Sequence, residues 1–184
     1  MKNWFVAVLP LLLIVVVPSF DASAPEKASL LQQAAVTKTA AAGLAAVREP
    51  ETVTVYLNKV HFGPNGATLT GDPIDWYEGK QAAAVFAERE PDSGLDGPPD
   101  DYYIVNDEEK QVGYAVAPDA EVLMQIYDRT GRLEDIGVNW NEAVTLQNFS
   151  KLFQDTDLID LSQFPYHLTI EGGQVTRIVQ QYVP

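Results

Sequence analysis

The chain has 184 residues, with 26 acidic against 12 basic side chains, no cysteine and a formal net charge of −14. The missing cysteines exclude disulfides, thiolate metal sites, a cysteine nucleophile and a lipidated N-terminal cysteine. The charge disfavours nucleic acid and anionic lipid surfaces as partners, and favours solubility, cationic partners and divalent ions.

Residues 1–24 open with Lys2, run apolar from Trp4 to Val17 apart from Pro10, and end on small residues around Ala22 and Ala24. This is the layout of a secretory signal peptide. The apolar run is short for a spanning helix. Cleavage after Ala24 would place Pro25 at the new N terminus, which keeps an uncleaved N-terminal anchor open as the alternative. Either form puts the protein outside the cytoplasm, secreted or held on the outer face of the membrane. Export without disulfides suits a bacterial protein. Residues 25–50 are rich in alanine and lack aromatics, so they read as a partly helical tether that Pro50 ends.

The folded domain is expected over 51–184. In "TVTVYLNKVHF", Val53, Val55 and Leu57 alternate, then the phase shifts to Val60 and Phe62, which calls for a bulge near Asn58-Lys59. "GPNG" is a turn, and "ATLTGDPIDWY" returns as a second strand with a break at Gly71-Asp72-Pro73. Ala82, Val85 and Phe86 then fall at helical spacing between Lys80 and Glu90. "PDSGLDGPPDD" is loop. "YYIVND", "QVGYAVA" and "EVLMQIYD" read as three strands separated by turns at "DEEK" and "PDA". Residues 129–141 read as loop. Thr145 caps a second helix whose stripe is Leu146, Phe149 and Phe153. Gly172-Gly173 joins a final hairpin, with Tyr166, Leu168 and Ile170 facing Val175 and Val179; Arg177 falls awkwardly on that apolar face.

Six or seven strands joined mostly by hairpins, with two short helices, predict a mainly β, antiparallel small barrel, OB-like in layout.

For chemistry, the acidic loop before "YYIVND" is compared with a calcium loop. Asp92, Asp96, Gly97 and Asp100 match ligand or turn positions, but Gly94 and Tyr103 stand where ligands are needed. Calcium through Asp92, Asp96 and Asp100 is therefore the one metal expectation, beside a solvated acidic loop; no other cofactor is implied. Asp72, Asp75, Glu78, Asp100, Asp101, Asp107, Glu108 and Glu109 are all candidate carboxylates, and no pair stands out. The two histidines, His61 and His167, sit on strands far apart in sequence. No G-x-S-x-G and no phosphate-cradling loop occurs. The aromatics Trp76, Tyr77, Tyr102, Tyr103 and Trp140 offer a different site: in each adjacent pair one ring faces each side of a strand, so one side can form a platform for a protein, peptide or glycan.

Four segments occur together: "DWYEGKQAA", "PPDDYYIVND", "YAVAPDAEV" and "PYHLTIEGGQVTRIVQQYVP". Through Trp76, Tyr77, Gly79, Asp101, Tyr102, Tyr103, Ile104, Asn106, Ala117, Asp119, Ala120, Gly173, Val175, Ile178, Gln181, Tyr182 and Pro184 the chain resembles an uncharacterised family of exported proteins of Gram-positive bacteria. The resemblance spans about residues 52–184 and implies export, with no activity to carry over. The expectation for function is an exported, non-enzymatic binding or interaction module. Two alternatives remain: an exported hydrolase using Asp100, Asp101 and Asp107, and a domain stabilised by calcium through residues 92–101.

Overall fold

The computed structural model describes residues 49–184; the expected leader and the expected tether up to residue 48 lie outside the described residues. Alternating β-branched and aromatic residues make β1 (Glu51–Gly63) and β2 (Gly66–Glu78), a hairpin of two 13-residue strands. The register slips between Leu57 and Lys59, so Asn58 is the extra residue; Val55 and Leu57 before it and Val60 after it reach the core, while Phe62 is exposed. Gly71 sits across from Leu57, and a Cβ there would come within 2.9 Å of the Tyr56 carbonyl oxygen.

Helix α1 (Gly79–Arg89) follows, then the short β3 (Tyr102–Val105) and the long β4 (Val112–Met124). β5 (Glu142–Val144) precedes α2 (Leu146–Leu152), and β6 (Pro165–Glu171) and β7 (Gln174–Gln180) close the chain. Thr145 caps α2 as expected, its Oγ1 accepting from Asn148 N at 3.1 Å.

Five strands close a barrel in the order β2-β1-β6-β7-β4 and back to β2. Only the β4–β7 contact is parallel. Counting barrel strands alone, the order is 1-2-3-5-4-1, with α2 between the third and fourth, which is the OB-like layout. The interior is filled by Val55, Leu57, Leu69, Val122, Met124, Leu168 and Ile178, together with Phe149 of α2 and Phe153 just after it against Tyr166. Tyr166 is fully buried, and its hydroxyl donates to the Leu161 carbonyl at 3.0 Å. Gln180 is also fully buried; its Oε1 accepts from the backbone N–H of Gln125 and Ile126 at 2.8 and 2.9 Å, where β4 ends.

Three expectations need correction. "PDA" is not a turn: residues 112–124 are one strand, and the ladder to β7 jumps from Val116 to Glu121, so residues 117–120 bulge within it. Pro118, which lacks an N–H, is tolerated at such a bulge. The strand expected over "EVLMQIYD" stops at Met124, and β5 forms from residues 142–144, which no expectation covered. Arg177 does not face the core: Thr176 is an extra residue against β6, so the phase flips, Val175 and Ile178 point inward, Val179 is only half-buried, and Arg177 pairs with Glu121 at 2.8 Å.

β2 outruns the barrel. Its first half has β4 as neighbour over Ala67–Gly71, and its last four residues have β3. Between the two lies Asp72, 7% exposed, whose Oδ1 accepts from Lys110 N at 2.6 Å and whose Oδ2 accepts from Asn106 Nδ2 at 2.8 Å. This carboxylate ties the 106–110 turn across the gap. Charge-assisted bonds of this kind are worth roughly 1.5–3 kcal/mol net, and Asp72→Ala removes both. The expected cost is about 2 kcal/mol or more, read as a lower urea midpoint with an unchanged slope.

Candidate functional site

Core residues Val55 and Leu57 fix the inner face of β1, so Thr54 and Tyr56 lie on the outer one. Thr54 pairs with Ile74 on β2 and with His167 on β6. Two residues on from Ile74, Trp76 shares the outer face and pairs with Ile104 of β3; Tyr102 is two residues before Ile104. The side chains then meet in a row across these strands. Trp76 stacks on Tyr102, centroids 4.7 Å apart and planes 9° apart. His167 meets Trp76 edge-on at 5.5 Å. All three rings are half-buried.

Polar groups hold the row. Trp76 Nε1 donates to Glu78 Oε1 at 2.8 Å, an i, i+2 contact on one strand face. Thr54 Oγ1 and His167 Nδ1 share a hydrogen bond of 2.9 Å. Burial pushes the His167 imidazole below its ordinary range, against opposing contributions from Gln181 and Glu78. Burial, then the charge of Asp100, raises the Tyr102 hydroxyl, and burial, then Tyr102, raises that of Tyr56.

The five aromatics expected as one platform are thus divided. Trp76 and Tyr102 come together. Tyr77 and Tyr103 pair on the opposite face, the one that α1 covers. There Tyr103 meets Phe86 edge-on at 5.5 Å and donates to Glu90 Oε1 at 3.0 Å. Trp140 is 66% exposed in the loop before β5 and meets Tyr182 at 6.5 Å, apart from the row. The sequence missed His167, Thr54 and Tyr56 as members of the row. Only the β1–β6 register brings His167 there, and nothing local to "PYHLTI" carries that register. Glu78 was legible as a partner, two residues from Trp76 on the same strand.

The acidic residues behave differently from an assembled site. Asp92, Asp96 and Asp100 are exposed, and among the described residues no three His, Asp or Glu side chains gather as a metal would need. A shallow cleft of about 290 Å³ opens beside the β2–β3 junction, bordered by Asp75, Val105, Asp107, Glu108 and Lys110. Of the three carboxylates offered to a hydrolase, Asp107 alone borders it. Both its oxygens accept from Arg89, each at 2.7 Å, and this bidentate pair holds its acidity below the ordinary carboxylate range. Asp101 adopts a left-handed φ of 59° where the loop enters β3, and its carbonyl accepts from Gly79 N.

Compared with known protein families, curated proteins and solved structures, the chain matches none.

His167 gives a test of the row's burial. A histidine with a depressed folded-state value favours the fold in its neutral form. Its contribution is complete above the ordinary value of about 6.5 and is lost as pH falls through that value towards the lower folded one. The expected outcome is that thermal stability drops more between about pH 7 and pH 5 in the wild type than in His167→Gln. The imidazole proton resonance of His167 is expected to titrate with a midpoint below 6.5.

Proposed function

We propose that the protein is an exported binding module that engages a cationic partner through the outer-face row of Trp76 and Tyr102. The observation that carries this reading is the stacked pair itself: two large rings, half-exposed, on the outer face of the β2–β3 extension, beside a barrel whose interior is already filled. Large aromatics left at a surface beside polar anchors are typical of recognition sites. The sign of the partner follows from the surroundings. Glu78 and Asp100 border the row, the chain carries a net charge of −14, and ring faces are themselves negative, so ammonium and guanidinium groups are attracted and phosphates repelled. The leader, the alanine-rich tether and the likeness to an exported family support a place outside the cytoplasm, secreted or anchored.

The test titrates the full-length chain with hexalysine and, for comparison, with the neutral glycan chitohexaose, following tryptophan fluorescence. Hexalysine is expected to bind and the glycan to bind at least tenfold more weakly. Trp76→Ala and Tyr102→Ala are each expected to weaken hexalysine at least tenfold with little change in melting temperature. Affinity is expected to fall as salt rises. Equal binding by the wild type and both variants would remove the row from the site, and preference for the glycan would overturn the cationic partner.

A further inference from the structure

The phase of the β2–β3 ladder is set by one bond: Gly79 N donates to the Asp101 carbonyl at 2.9 Å. In an antiparallel pair, bonded and non-bonded pairs alternate. Residues 101, 103 and 105 therefore turn their backbone groups towards β2, and Tyr102 and Ile104 turn theirs away from it. β3 is the last strand at its end of the sheet, packed against β2 and α1. Helix α1 meets β3 on the Tyr103 face, through Phe86. Among the described residues, no turn, loop or cap bond reaches the N–H and C=O groups of Tyr102 and Ile104, and no strand other than β2 pairs with β3.

We infer that this open edge of β3 takes up an extended basic peptide as an added strand. The inference rests on the reading of the Trp76–Tyr102 row as a binding surface and names the partner and its mode of docking. Strand addition draws affinity from main-chain bonds and specificity from alternate side chains. Here the two sides of an added strand meet different surroundings. Residues in register with Tyr102 and Ile104 lie on the outer face, where the row of rings ends, with Glu78 and Asp100 nearby. A lysine or arginine there gains both charge and ring contact. Residues of the other phase come beside Tyr103 on the helix side, where Asp107 is already taken by Arg89 and Glu90 receives the Tyr103 hydroxyl. Neutral side chains suit that side. The partner is thus a strand with a cation at every second position. Charged ends on a short edge strand also guard against unwanted pairing, so an uncharged or acidic strand is refused by the same residues.

The test compares a seven-residue peptide alternating lysine and threonine with one of the same composition whose lysines form a block. The alternating peptide is expected to bind the full-length chain at least tenfold more tightly. On binding, hydrogen exchange of the Tyr102 and Ile104 amides is expected to slow. Ile104→Pro deletes one outward N–H at a position where an edge strand tolerates proline, and is expected to weaken binding at least tenfold with the melting temperature kept. The same loss is expected when the alternating peptide is N-methylated at every second residue, which leaves the protein untouched. Equal binding of the two peptides, or no effect of either backbone change, overturns the strand. If Trp76→Ala abolishes hexalysine binding while Ile104→Pro does not affect the alternating peptide, the row stands and the added strand falls. If Trp76→Ala changes nothing, the reading of the row itself falls.

Discussion

The β3 and α1 extension beside the barrel depends on how β2 satisfies one of its two edges. A 13-residue strand that leaves a small barrel must exchange neighbours part-way, and at the exchange its backbone is in danger of losing both. Asp72 resolves this by holding the 106–110 turn in the gap, with one oxygen on the Lys110 N–H and the other on the Asn106 amide. With the turn held, β3 is delivered alongside Asp75–Glu78, α1 gains a surface to cover, and Trp76 is carried clear of the barrel wall. The acidic stretch around the two tyrosines is therefore chiefly the means by which a strand is docked. Its conspicuous carboxylates, Asp107 and Glu108, are occupied by Arg89 and Lys110.

The barrel closes with the correct faces inward through three irregularities. Asn58 in β1 and Thr176 in β7 each shift the phase, whereas residues 117–120 in β4 bulge and leave Val116, Val122 and Met124 on one inward phase. The first was legible in the sequence, since the apolar phase visibly slips between Leu57 and Val60. The second was misread, since Pro118 and Asp119 are turn residues in isolation and nothing local tells a bulge from a turn. The third left a trace, the misplaced Arg177, but the cure depended on a partner strand. Gly172 and Gly173, both at positive φ, turned out as the composition demanded. Local signals thus sufficed for the elements and their hairpins. The closure, which rests on the parallel β4–β7 contact, has no local signature.

The same division holds for the candidate site. That adjacent aromatics must face opposite ways is a property of any strand, so the splitting of Tyr102 from Tyr103 was readable. Which of them would meet the helix was not, because it depends on the side of the β2–β3 ribbon that α1 occupies. The stack of Trp76 on Tyr102 required the register of β3, and the addition of His167 required that of β6 on β1. Trp140 was grouped with the others on residue type alone. Its loop is organised by Arg129, which bonds the Gly137 carbonyl and Glu142 and keeps it apart from the row.

Strand geometry makes the two features of the β3 edge a single property. Backbone polar groups lie in the plane of a sheet and side chains stand out of it. In the Tyr102-Tyr103 doublet the work is consequently shared in a fixed way. Tyr103 gives its backbone to β2 and its ring to the helix side, so both are spent on holding β3 in place. Tyr102 gives its ring to the outer row and turns its backbone to the open edge. A one-residue slip of β3 against β2 would exchange both assignments at once. Ring row and open edge therefore stand or fall together on one register, and that register is held by the Gly79–Asp101 bond at one end and by Asp72 at the other.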